Sequence, residues 1–135
     1  MTEKTFLAAI AEELRCDLLR AESVSFAVLQ ELRDRLTAPE RRDVAAQLPT
    51  GLRRLWNTGD RPDRPPDKVH APEFVGRVRQ RAALPDDDEA ARAVRTVFRQ
   101  LQRLLGSPTG MEGEAWDVFS QLPKDLKRLW LDAGR

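Results

Sequence analysis

The sequence has few of the residues on which most enzymes and metal sites depend. Its 135 residues include one cysteine, Cys16, and one histidine, His70. A single cysteine excludes an internal disulfide, and one residue of each type is too few for a zinc site. The glycine-bearing segment 106–113 lacks the lysine of a phosphate-binding loop. The chain offers little for catalysis, and we expect neither a cofactor nor a metal.

Long apolar runs and an excess of charge are also missing. No run approaches the roughly 20 residues that a membrane-spanning helix needs, and acidic residues interrupt the apolar N-terminal stretch, which is not typical of a signal peptide. The 23 basic and 22 acidic side chains leave a formal net charge of +1, which gives no overall attraction to nucleic acid or to an anionic membrane. We therefore expect a soluble protein of the reducing cytosol, without a membrane partner.

One segment of the chain occurs twice. Residues 40–56 read ERRDVAAQLPTGLRRLW and residues 114–130 read EAWDVFSQLPKDLKRLW, with identity at ten of the seventeen positions. Weaker upstream matches pair 28–36 with 97–105 and 6–10 with 74–78. The second copy has extra residues in the loop 106–113, where an insertion is tolerated. The pattern predicts a first repeat at 1–59, a linker at 60–71 and a second repeat at 72–135.

Each repeat has the pattern of three to four amphipathic helices. Apolar residues from Ala90 to Leu105 recur at spacings of three and four, and no stretch shows the sustained alternation of a strand. The opening helices are predicted at 5–14 and 73–82, and the proline-rich segment 57–71 is predicted to be a loop. Because a unit of about 60 residues buries little surface alone, we predict one all-α domain over 1–135. In it, two three-to-four-helix units pack with pseudo-twofold symmetry.

The repeated motif Gln-Leu-Pro-x-x-Leu-x-Arg-Leu-Trp predicts a break between two helices. Proline disfavours helical backbone in the residue before it, so the third helix of each repeat should end near Gln47 or Gln121, and Pro49 or Pro123 should open a short new helix. We interpret the face that carries Trp56 or Trp130 as core, and the alternative is an exposed partner-binding face. The motif residues with a predicted structural role are Asp43, Gln47, Leu48, Pro49, Leu52, Arg54, Leu55, Trp56, Asp117, Gln121, Leu122, Pro123, Leu126, Arg128, Leu129 and Trp130.

The pattern Asp-Val-x-x-Gln-Leu-Pro-x-x-Leu-[Arg/Lys]-x-Leu-Trp, at the end of an amphipathic three-helix unit, resembles the bacterial domain of unknown function 2267 family. The resemblance covers nearly the whole chain, and the stretch from Gln-Leu-Pro to Leu-Trp is its specific part. It implies a prokaryotic, cytoplasmic, helical protein. No catalytic residue is carried over with it.

Several polar clusters admit two interpretations. Cys16 and His70 could form a dyad, although nothing in the sequence orients them, and the acidic run 86–89 could bind a cation but fits helix capping better. The pairs Glu40/Asp43 and Glu114/Asp117 occur in both repeats and could act as acid and base. We favour a structural role for them, with the glutamates at helix starts. The aspartates are then predicted to form salt bridges to arginines such as Arg54 and Arg128.

Four arginines, at positions 92, 95, 99 and 103, form a stripe at helical spacing. Phosphate contact by Arg92, Arg95, Arg99 and Arg103 is one hypothesis, but the acidic start of the same helix favours a solvated face. The leading hypothesis is a non-enzymatic helical module that binds a protein partner or itself. The alternatives are a nucleic-acid-associated protein that uses the arginine stripe, and an enzyme or small-ligand binder with a pocket between the repeats.

Overall fold

A computed structural model of the chain describes residues 1–61, 63–107 and 111–135, and these residues form eight α-helices and no strand. The predicted all-α class is therefore confirmed. Part of the loop predicted at 106–113 lies outside the described residues. None of the helices in the described ranges has both the length and the apolar character that crossing a bilayer demands. The helices are α1 (Glu3–Leu14), α2 (Leu18–Arg33), α3 (Ala38–Gln47), α4 (Thr50–Asn57), α5 (Ala71–Ala82), α6 (Asp87–Leu104), α7 (Gly113–Gln121) and α8 (Lys124–Ala133).

The proline motifs end α3 and α7 where the sequence predicts. The last helical residue is Gln47 in α3 and Gln121 in α7. The residue before each proline is extended, with ψ of 142° at Leu48 and 147° at Leu122, because the proline ring excludes the helical conformation there. Each proline then precedes the first residue of the next short helix. The acidic run also caps its helix as predicted, since a side-chain oxygen of Asp86 accepts from the Glu89 amide at 2.8 Å.

Helices α2 and α6 are the most heavily packed elements of the fold. Helix α1 packs against α2 and α6, α5 packs against α6 and α2, and the short helices α4 and α8 cover α2 and α6 respectively. The buried apolar residues form one cluster with members from both predicted repeats. These contacts are compatible with the predicted duplication and pseudo-twofold packing, which stay predictions.

The linker is held against the end of α2 by charged groups. Asp34 accepts a hydrogen bond at its carbonyl oxygen from the Asp67 amide at 2.8 Å, and its carboxylate lies 3.1 Å from Arg64 Nη1. Arg41 reaches the carboxylate of Asp60 at 3.2 Å. The described residues between α4 and α5 are irregular, as predicted, but several of their side chains and amides have partners in the fold.

Candidate functional site

The tryptophans of the repeated motif lie in the core. Trp56 and Trp130 are fully buried, which agrees with the core interpretation rather than with an exposed partner-binding face. Trp56 Nε1 donates a hydrogen bond to the Arg41 carbonyl at 3.0 Å, and Trp130 packs on Phe98 with ring centroids 5.1 Å apart. The first two leucines of each motif are buried as well, namely Leu48, Leu52, Leu122 and Leu126. The third leucine of each motif is half-buried, namely Leu55 and Leu129.

Two buried polar side chains, missed by the sequence reasoning, hold the ends of the motif helices. Arg33 Nη1 donates to the Trp56 carbonyl at 2.8 Å, and Gln102 Nε2 donates to the Trp130 carbonyl at 2.8 Å. The two residues match at the offset of 69 that relates α2 to α6 in the predicted repeat. They satisfy carbonyls at the ends of short helices, where no further helical turn supplies a donor. The two residues occupy equivalent positions of the predicted repeat. Because one is arginine and the other glutamine, comparing the repeats does not show that they share this role.

The repeated glutamates and aspartates meet where α3 packs against α7. Carboxylate oxygens of Glu40, Asp43 and Glu114 all lie within 4.8 Å of one another, and Asp117 contacts Glu114 through a side-chain hydrogen bond. We call these four residues the seam cluster. Glu40 is buried, Glu114 half-buried, and both aspartates exposed, so the cluster runs from the interior to the solvent.

The side chains of the motif glutamines form hydrogen bonds between the two halves. Gln47 Nε2 donates to Glu114 Oε1 at 3.4 Å, and Gln121 Oε1 accepts from the Thr37 amide at 2.9 Å. Both glutamates do lie in the first turn of their helices, as predicted. The predicted salt bridges are wrong, because no ion pair joins Asp43 to Arg54 or Asp117 to Arg128 in the described ranges. Arg54 and Arg128 point into solvent, and the aspartates lie instead beside the opposite helix.

Burial and the neighbouring carboxylates keep a proton on the seam cluster. Burial raises the pKa of the Glu40 carboxyl from 4.5 to about 8, and the hydrogen bond with Glu114 and the charges of Glu114, Asp117 and Asp43 act in the same direction. Burial also raises the pKa of Glu114. Two carboxylates this close cannot both ionise easily. At neutral pH Glu40 therefore keeps a proton and donates it in a hydrogen bond to Glu114.

We expect the free energy of unfolding to fall as pH rises from about 5 to about 8, in a buffer that contains a chelator. In this window the folded chain holds a proton on Glu40 that the unfolded chain, with its ordinary pKa of 4.5, has already lost. Rising pH therefore favours the unfolded state. Glu40→Gln should make the free energy of unfolding depend less on pH. At about pH 8 it should stabilise the chain by on the order of 2 kcal/mol. Urea denaturation followed by circular dichroism measures both; an unchanged pH dependence in Glu40→Gln would refute the assignment.

The arginine stripe of α6 is partly used within the molecule. Arg99 forms an ion pair with Glu13 at 2.7 Å and donates to the Ala133 carbonyl at 2.8 Å. Arg92 donates to the Glu13 carbonyl at 2.8 Å. Arg95 is half-buried, and Arg103 is exposed. Phosphate contact by the stripe stays a prediction, and the geometry does not present four free guanidinium groups on one surface.

Cys16 and His70 face different surroundings. His70 is 81% exposed and its Nδ1 lies 3.5 Å from the carboxylate of Asp125 on α8. Cys16 lies between α1 and α2, half-buried, and burial together with the charge of Asp17 raises the pKa of its thiol. A raised pKa disfavours the thiolate that a nucleophile requires. No contact between the two residues supports a dyad in the described part of the chain.

Among the residues that the structure describes, large apolar side chains are exposed on two surfaces, one in each half. Trp116 on α7 is 44% exposed and packs on Phe119, with ring centroids 5.3 Å apart; Lys127 Nζ lies 5.4 Å from the Phe119 ring centroid. We call these three residues the aromatic surface. At the start of α2, Leu18 and Leu19 are 52% and 78% exposed. They border a shallow groove that Leu7, Glu3, Lys4 and Glu22 also line, and we call Leu18, Leu19 and Glu22 the leucine surface.

Comparison with known proteins gives one family and no curated relative. A family model described as "Uncharacterized conserved protein (DUF2267)" matches residues 3–129, which include all of α1 to α7 and most of α8. No curated protein matches the chain. The family description names no activity, so the surfaces and clusters of the chain itself must supply any functional argument.

Proposed function

The chain belongs to the DUF2267 family of uncharacterized conserved proteins, and we propose that it is a non-catalytic helical module that binds a second copy of itself. The aromatic surface of one copy contacts the leucine surface of the other. The observation that carries the proposal is the exposure of Trp116, because large aromatic side chains left on a surface are typical anchors of protein interfaces. The scarcity of histidine and cysteine supports a non-catalytic role. A bacterial origin is what the family resemblance implies, and the single cysteine fits the reducing cytosol that we propose as the setting.

Complementary charge favours a second copy as the occupant. Lys127 belongs to the aromatic surface, and Lys124 is exposed at the start of the same helix. The leucine surface carries exposed Glu22, and Glu3 and Lys4 line the same groove, so carboxylates outnumber ammonium groups there. An apolar centre with lysines on one side and carboxylates on the other matches the usual arrangement of an apolar core and a polar rim.

The two surfaces are not equivalent positions of the predicted repeat. Leu18 and Leu19 correspond to Asp87 and Asp88 at the offset of 69, and Trp116 corresponds to Arg42 at the offset of 74. Each half therefore carries polar residues where the other half is apolar. The contact joins two different surfaces of the same molecule, which is a heterologous rather than a two-fold interface.

We expect the weight-average mass in sedimentation equilibrium to rise with concentration, with a Kd on the order of 0.1 mM for a small interface. Trp116→Ala and Leu19→Glu should each remain monomeric, because each removes one of the two surfaces. Arg42→Ala, at the position that matches Trp116 in the first repeat, should associate like the unsubstituted chain.

Mixing the two monomeric variants tests the pairing directly. Trp116→Ala retains the leucine surface and Leu19→Glu retains the aromatic surface, so an equimolar mixture should form a dimer and nothing larger. A monomer at all concentrations for the unsubstituted chain would end the proposal. Association that survives either substitution, or a mixture that stays monomeric, would show that these surfaces are not the interface.

A further inference from the structure

The seam cluster contains a buried carboxylate without a cationic partner. Glu40 is only 5% exposed, and in the ranges that the structure describes no arginine or lysine forms an ion pair with it. Its Oε1 is buried and accepts no hydrogen bond. A buried carboxylate oxygen with no donor carries a desolvation cost. An oxygen of the Glu40 carboxylate lies within 4.8 Å of oxygens of Asp43 and Glu114, so a positively charged ligand is what the position lacks.

The donor set of the cluster selects the kind of cation. Glu40, Asp43 and Glu114 bring oxygens within 4.8 Å of one another, a spacing at which one ion can bridge them, and Asp117 lies next to Glu114. All the donors are carboxylate oxygens, with neither imidazole nor thiolate among them. Such ligands suit hard divalent cations, namely Mg²⁺, Mn²⁺ and Ca²⁺, rather than zinc or copper.

We propose that the seam cluster binds one hard divalent cation, held by Glu40, Asp43 and Glu114, with Asp117 as a further ligand either directly or through water. The exposed aspartates open the site to solvent, so the ion enters without unfolding. The ligands come from α3 and α7 and thus from both predicted repeats. A bound ion therefore ties the two halves together at this point. The proposal does not depend on self-association.

A cation also explains a pattern that a proton leaves open. A proton on Glu40 is shared with Glu114 alone, and it leaves the charges of Asp43 and Asp117 without a cation beside them. A divalent ion compensates the buried oxygen and the repulsion among Glu40, Asp43 and Glu114 at the same time. The Glu-x-x-Asp pair occurs in both repeats. One ion between α3 and α7 would be bound by carboxylates of both pairs.

The test is a titration of the full-length chain with Mn²⁺ at about pH 8, followed by the loss of the free-ion electron paramagnetic resonance signal. We expect one Mn²⁺ per chain with a Kd on the order of 0.1 mM, and competition by Mg²⁺ or Ca²⁺. Glu40→Gln and Glu114→Gln should each weaken binding at least about tenfold. Glu89→Gln, in the acidic run at the start of α6, should bind like the unsubstituted chain.

Stability measurements separate lost ligands from lost structure. Both glutamine variants should keep the helical circular dichroism spectrum and unfold cooperatively. Mn²⁺ should raise the melting temperature of the unsubstituted chain and leave that of Glu40→Gln unchanged. If none of Mn²⁺, Mg²⁺ and Ca²⁺ binds at concentrations several times the expected Kd, the proposal is overturned. Binding that survives Glu40→Gln and disappears in Glu89→Gln would also overturn it, because the ion would then lie at α6.

Discussion

Trp56→Ala is expected to lower the free energy of unfolding by about 3–5 kcal/mol, the range seen for large aromatics removed from cores. Trp56 is fully buried, and its indole N–H donates to the Arg41 carbonyl at 3.0 Å. The substitution therefore leaves a cavity and also an acceptor without its donor. Because small domains are stable by only about 5–15 kcal/mol, this loss is a large part of the total free energy of unfolding. Chemical denaturation followed by far-ultraviolet circular dichroism measures the change.

The exposed tryptophan provides the matched control. Trp116→Ala makes the same chemical change on α7, where the side chain is 44% exposed, and it should cost less than about 1 kcal/mol. Trp130→Ala should resemble Trp56→Ala, because Trp130 is fully buried against Phe98. Equal losses in Trp56→Ala and Trp116→Ala would contradict the assignment of Trp56 to the core.

Arg33→Leu is expected to lower the free energy of unfolding by about 3–5 kcal/mol, as when one partner of a buried ion pair is removed. The side chain of Arg33 is 3% exposed and lies 3.0 Å from the carboxylate of Asp34, which is also buried. It donates to the carbonyls of Trp56 at 2.8 Å and Thr58 at 2.7 Å. Leucine keeps the apolar stem and supplies none of these donors. The loss should appear as a lower urea midpoint with an unchanged slope.

An exposed arginine and a double variant test this explanation. Arg54→Leu, on the solvent side of α4, should change stability by less than about 0.5 kcal/mol. Adding Asp34→Asn to Arg33→Leu should recover part of the loss, since it removes a buried charge for which Arg64, at 3.1 Å, is the remaining ion-pair partner in the described ranges. Full stability in Arg33→Leu alone would show that the buried contacts of Arg33 contribute nothing net.

The parts of the fold that the sequence predicted are those set by local rules. The ends of α3 and α7 depend on Pro49 and Pro123, whose rings act on the preceding residue whatever the rest of the chain does. The start of α6 depends on Asp86, which caps an amide three residues away. The burial of the motif tryptophans agrees with their spacing to the neighbouring leucines, because positions three and four apart share one helix face.

The candidate sites depend on contacts between distant residues, which no local pattern contains. Glu40 and Glu114 are 74 positions apart, and their meeting depends on α3 packing against α7. The predicted bridge from Asp43 to Arg54 was wrong because it assumed a partner within the same repeat. The arginine stripe has the same explanation: Glu13 comes from α1 and pairs with Arg99 across the packed halves.

The packing of the eight helices is uneven, and this gives the molecule a thin outer layer. Helix α3 rests mainly on α4 and α7, while α2 and α6 each contact several neighbours. Regions with few buried contacts open at lower free energy than the rest of a structure. We therefore expect the contact between α3 and α7 to open at a lower free energy than the contacts among the inner helices, and a cation bound by the seam cluster would oppose that opening.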